Sequence, residues 1–71
     1  MTLGELREHF GVPQIDVARC MGMPEAALAG LEAVSVSDAS GNTLSLYLLA
    51  LGGRLEAVAL GTDGSEKRVR L

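Results

Sequence analysis

The chain has 71 residues, 48% of them hydrophobic, and a formal net charge of −3. A chain this short makes one domain and buries only about 60% of its unfolded surface, yet its apolar content is far above that of disordered chains. One cysteine, Cys20, and one histidine, His9, exclude an intrachain disulfide and leave no cluster for a structural zinc, so self-association remains as the common source of extra stability. Charge is unevenly placed. Up to Leu51, Arg7 and Arg19 stand against Glu5, Glu8, Asp16, Glu25, Glu32 and Asp38; from Gly52 on, Arg54, Lys67, Arg68 and Arg70 outnumber Glu56, Asp63 and Glu66. Nucleic-acid binding rests on phosphate neutralisation by Lys and Arg, and the first part of the chain holds little of either. No run reaches the roughly 18 apolar residues of a membrane span, and no basic segment followed by an apolar stretch opens the chain. A cytoplasmic protein without membrane contact is the expectation.

In chain order, Thr2 to Phe10 reads as a helix. "TLGE" is a capping box, in which Thr2 and Glu5 satisfy each other's backbone N–H groups, and Leu3, Leu6 and Phe10 share a stripe. Gly11 ends it. "VPQIDVARCM" reads as a second helix, with Pro13 in its first helical position and with Ile15, Ala18 and either Met21 or Val17 turned inward. Gly22 makes the turn. "PEAALAGLEAV" is the third helix, opened by Pro24, with Leu28 and Leu31 on its inner face and Ala27 between helices. Val12 and Met23 stand where a polar cap would help. "SVSDASGNT" reads as a loop, and Thr43 is positioned to cap a fourth helix, "LSLYLLALGG", whose stripe is Leu44, Leu48 and Leu51. The period then changes. "RLEAVAL" and "KRVRL" alternate, with Val69 and Leu71 on one face and Arg68 and Arg70 on the other, and the turn-rich "GTDGSE" joins them as a β-hairpin. The expected fold is mainly α, a four-helix helix-turn-helix body over residues 1–51 followed by a C-terminal β-hairpin over 52–71 in the same domain.

The stretch "FGVPQIDVARCMGMPEAALAGLE" resembles the helix-turn-helix of Cro-and-lambda-repressor type regulators, the XRE family. The resemblance lies in a spacing: Gln14 opening the second helix, a small Ala18 in its middle, Gly22 in the turn, then Leu28 and Leu31. The flanks "LGELREHFG" and "TLSLYLLALGGRLEAVALGTDGSEKRVRL" are similar to the first helix and to the ending of small antitoxin-like members, in which the hairpin or last helix commonly builds a dimer. The resemblance implies a homodimeric transcription regulator that presents its third helix to the major groove of double-stranded DNA. On this chain the positions facing DNA are Gln14, Arg19, Glu25, Ala26, Ala29 and Gly30. They depart from the family's habit. Pro13 replaces a hydroxyl residue, and the third helix offers none of the Arg, Lys, Asn, Gln, Ser or Thr side chains that read base edges.

The alternative is a degenerate helix-turn-helix that acts by protein–protein contact with a toxin or another regulator. An apolar outer stripe on a small domain marks an interface, and Leu46 and Leu49 form such a stripe on the fourth helix. With Val58, Leu60, Val69 and Leu71 on the hairpin they make the expected partner or dimer interface. Arg7 reads as part of a solvated helix face, Tyr47 as a packing residue with its hydroxyl at the rim, Cys20 as an unreactive small residue, and the basic cluster of the hairpin as a guard against stray pairing. No nucleophile–base pair, paired carboxylates or phosphate loop is present, so no catalytic, metal or cofactor residue is expected.

Overall fold

The computed structural model describes residues 1–70; Leu71, named above as an interface residue, lies outside them. Four helices, a short 3-10 turn and a hairpin follow in order: α1 Leu3–His9, α2 Gln14–Met21, α3 Glu25–Glu32, the 3-10 turn Val36–Asp38, α4 Gly41–Ala50, β1 Glu56–Leu60 and β2 Glu66–Arg70. This is the predicted order, with corrections at the edges.

The Thr2–Glu5 capping box forms as the sequence predicts. Both prolines stand one position earlier than expected. Pro13 and Pro24 have extended ψ values of 142° and 149° and act as the N-caps of α2 and α3, without a side-chain cap bond. Helix α4 starts before Thr43. The Ser40 hydroxyl accepts the Thr43 N–H at 3.1 Å and donates to its Oγ1 at 2.9 Å, so the cap lies three residues upstream and Thr43 completes it. The segment read as a loop therefore contains a 3-10 turn and the first residues of α4.

Leu3, Val17, Ala18, Leu28 and Tyr47 are fully buried and bring one side chain or more from each helix to a single core. Val12, Met21, Met23, Leu31, Leu44 and Leu51 pack around it. Ile15 does not join them; it is 48% exposed. The inner stripe of α2 runs through Gln14, Val17, Ala18 and Met21, spaced i, i+3, i+4, i+7, which turns Ile15 to solvent. Ala27 is likewise exposed rather than packed between helices, and Phe10 is 58% exposed at the end of its stripe. Close approach of α1 and α3 depends on Gly4, where an added Cβ would lie 3.2 Å from the Glu32 Cβ. The N-terminal residues are held from the other side as well: Leu3 donates to the Val34 carbonyl and Val36 to that of Met1, at 3.0 and 2.8 Å.

The hairpin is antiparallel, in a register that sets Glu56 opposite Arg70, Val58 opposite Arg68 and Leu60 opposite Glu66. It projects from the helices in a molecule 45 Å long and about 20 Å across, and every residue from 57 to 70 is exposed. No helix among the described residues is long and apolar enough to cross a membrane.

Candidate nucleic-acid interface

Helices α2 and α3 form two crossed eight-residue segments around Gly22. Gly22 has φ 66° and ψ 36°, a left-handed conformation that an L side chain resists. Its N–H bonds to the Arg19 carbonyl at 3.2 Å, and the Met23 N–H reaches back to that of Ala18 at 3.0 Å. This pair of bonds is the Schellman closure, and it fixes the direction in which α3 leaves α2.

The inner side of the unit is held by a polar cluster that sequence patterning did not reveal. Glu32 is only 6% exposed. Its carboxylate accepts from Arg7 Nε at 2.7 Å, from Gln14 Nε2 at 2.9 Å and from the Tyr47 hydroxyl. Arg7 donates a further bond to the Val12 carbonyl at 2.9 Å, and the Tyr47 hydroxyl lies 3.1 Å from the Leu3 carbonyl. One carboxylate thus ties α1, α2, α3 and α4 together. Burial alone would raise the pKa of Glu32. The bonds from Arg7, Tyr47 and Gln14 outweigh it and hold the carboxyl below its ordinary value. The same contacts raise Arg7, and burial with the neighbouring carboxylate drives the Tyr47 phenol well above its usual 10. No buried polar side-chain atom among the described residues lacks a partner.

Three readings of single residues change accordingly. Arg7 is not on a solvated face; its side chain is 13% exposed and spent on Glu32. Tyr47 is fully buried, hydroxyl included in the network, rather than at a rim. Gln14 is half-buried and bonded inward. Glu32 itself was legible only as an i+4 partner of Leu28 on the inner stripe of α3.

The outer side of α3 presents Glu25, Ala26, Ala29 and Gly30, all exposed, with open space where a Gly30 Cβ would lie. Arg19 is exposed on α2 and is the one Lys or Arg on either helix. The surface is small, nearly flat and weakly charged. No side chain caps α2 or α3; the Asp16 N–H turns back to the Pro13 carbonyl at 3.1 Å, and the N–H groups that begin each helix have no side-chain acceptor. On the opposite flank, Leu46 and Leu49 are 54% and 62% exposed, and with Cys20, Met21 and Ala50 they line an open hollow of about 400 Å³.

No family model matches the chain. A candidate antitoxin of Mycobacterium tuberculosis, HigA3, is 41% identical over 58 residues, which are 80% of this chain and 53% of that protein; the chain therefore spans about half the length of that curated relative. Two solved structures match nearly the whole chain. One, of a HigA antitoxin described for induced DNA bending by unique dimerization, superposes with a TM-score of 0.80 at 37% identity, covering 99% of this chain and 90% of that one. The other, the DNA-bound antitoxin HigA3, gives a TM-score of 0.74 at 32% identity with the same coverage. With the fold superposing over nearly the full length of both chains at that identity, the chain belongs to the HigA antitoxin family.

Proposed function

We propose that this chain is an antitoxin-type transcription regulator of the XRE class, working in the cytoplasm, that binds double-stranded DNA as a homodimer. The observation that carries this reading is the glycine-hinged α2–α3 pair on a scaffold shared with a DNA-bound relative. Gln14 opens α2, whose uncapped start and dipole favour an anion; its side chain is bonded to Glu32, so its backbone N–H is the group offered to phosphate, and Arg19, exposed in the last turn of α2, supplies the second phosphate contact on this reading. Ala26, Ala29 and Gly30 let α3 approach base edges closely, and Glu25 is the only charged side chain on that face able to accept from cytosine. Readout of this kind relies on fit and DNA shape more than on a donor–acceptor code.

The test is fluorescence anisotropy of a labelled duplex from the promoter region preceding the chain's own coding sequence, at several salt concentrations. Saturable binding that weakens with salt is expected, and Arg19→Ala reduces the slope of log K against log salt by about 2 for a dimer. Absence of binding at 50 mM salt removes the proposal.

A second contact is favoured by the apolar flank. The exposed Leu46 and Leu49 beside the hollow of α2 and α4 suit a protein partner of the toxin class. Co-purification with the product of the neighbouring gene tests it. Leu46→Glu with Leu49→Glu abolishes capture on this account, and unchanged capture removes it.

A further inference from the structure

The α2–α3 pair is V-shaped, with a vertex and a mouth. Gly22 sets the turn at the vertex. At the mouth stand Gln14, the first residue of α2, and Glu32, the last of α3. These two are bonded to each other: Gln14 Nε2 donates to Glu32 Oε1 at 2.9 Å, across 18 positions of sequence. Val17, Ala18 and Leu28 stand midway along the arms and meet in the core, so the bond lies where leverage on the angle is greatest. Each arm has eight residues; at about 1.5 Å per residue it is about 12 Å long, and about 1 Å of slack at the mouth turns it by about 5°. The bond is well supported. A carboxylate only accepts, so the Gln14 amide must turn its Nε2 inward. Arg7 and Tyr47 occupy Oε2 of Glu32, which leaves Oε1 to Gln14. Arg7 also holds the Val12 carbonyl at 2.9 Å, and Pro13 fixes φ between that anchor and Gln14. A hydrogen bond to an ionised acceptor is stronger than one between neutral groups, and Glu32 is only 6% exposed.

We propose that Gln14 and Glu32 are positioning residues for DNA contact: their bond clamps the mouth of the pair and sets the angle at which α3 meets the groove while the start of α2 meets phosphate. This rests on the DNA-binding reading above, and it gives the Gln14 side chain a role other than touching DNA.

The test is anisotropy of the same promoter duplex with Gln14→Met, Glu32→Gln and the double variant, at a temperature where circular dichroism shows each chain folded. By charge alone Glu32→Gln tightens binding, because a negative group leaves a protein that meets phosphate. The clamp predicts the opposite sign. Each single variant binds about fivefold more weakly, the worth of about one hydrogen bond, and the double variant binds no more weakly than the weaker single, since both remove the same bond. Weaker binding by Gln14→Met with none by Glu32→Gln means that the Gln14 side chain meets DNA itself, and it overturns the clamp. A wild-type chain that binds no duplex removes the DNA-binding reading and this proposal with it, whereas a binding wild type matched by Gln14→Met overturns the clamp alone. Residual dipolar couplings of the α2 and α3 amides decide without DNA and without Glu32→Gln, should that variant not fold. In Gln14→Met the two helices reorient by at least about 5° relative to the wild type; an unchanged angle overturns the clamp.

Discussion

Replacing Glu32 by Gln keeps the side-chain volume and removes one charge from the centre of the helical body. Three donors converge on the carboxylate, from Arg7, Gln14 and Tyr47, and an amide has one acceptor oxygen to offer them. The Glu32 and Arg7 side chains are 5% and 13% exposed, so the stranded guanidinium cannot simply return to water. Breaking a buried pair from one side costs about 3–5 kcal/mol; the bond that the Gln oxygen retains offsets about 1 kcal/mol. A net loss of about 3 kcal/mol is expected. A chain of this size has a stability of roughly 4–11 kcal/mol, and the melting temperature falls by roughly 12–24 °C. Urea unfolding followed by far-UV circular dichroism at fixed chain concentration measures it, since a dimer's midpoint depends on concentration. Glu32→Leu with Arg7→Met leaves no unpaired charge and retains more stability than Glu32→Leu alone. A loss below 1 kcal/mol for Glu32→Gln refutes the reasoning, because the carboxylate would then not be what joins the helices.

The same cluster predicts a pH dependence on each side. Glu32 is held below its ordinary value in the folded state, so its contribution is complete above the unfolded pKa of about 4.3 and is lost as the pH falls through the lower folded value; in acid unfolding, Glu32→Gln flattens this part of the curve. Tyr47 is the single tyrosine and its pKa is raised, so phenolate absorbance at 295 nm develops only as the protein unfolds above pH 10, and stability falls with rising pH there. Gly30→Ala adds a Cβ in open space within a helix and stabilises by about 0.5–1 kcal/mol in thermal melts, whereas Gly4→Ala forces a contact on Glu32 and destabilises. Glu25→Gln removes the one negative side chain from the outer face of α3 and tightens duplex binding severalfold at low salt in the anisotropy assay.

Much of the fold was legible because local chemistry and global structure agree. The Thr2–Glu5 box, the Gly22 turn and the alternating hairpin strands each declare themselves within a few residues. Ile15 was misread because an eight-residue helix gives periodicity only two turns in which to speak, and a polar Gln14 on the inner stripe shifts its phase. The helical cap at Ser40 was missed because several small polar residues stood in a row, and only the structure distinguishes which hydroxyl accepts the Thr43 N–H. The bonds of the carboxylate network span up to 44 positions in sequence, so no local pattern could announce it. The positions proposed to face DNA are legible only through the spacing of the two helices, since Ala26, Ala29 and Gly30 carry almost no side-chain chemistry.

The most direct test of the central claim is a ¹⁵N–¹H NMR titration of the chain with promoter duplex at low salt. The account predicts that amide shifts concentrate at Gln14, Arg19, Ala26, Ala29 and Gly30, leaving Leu46 and Leu49 unmoved. Shifts confined to α4 or the hairpin, with α2 and α3 silent, would contradict it.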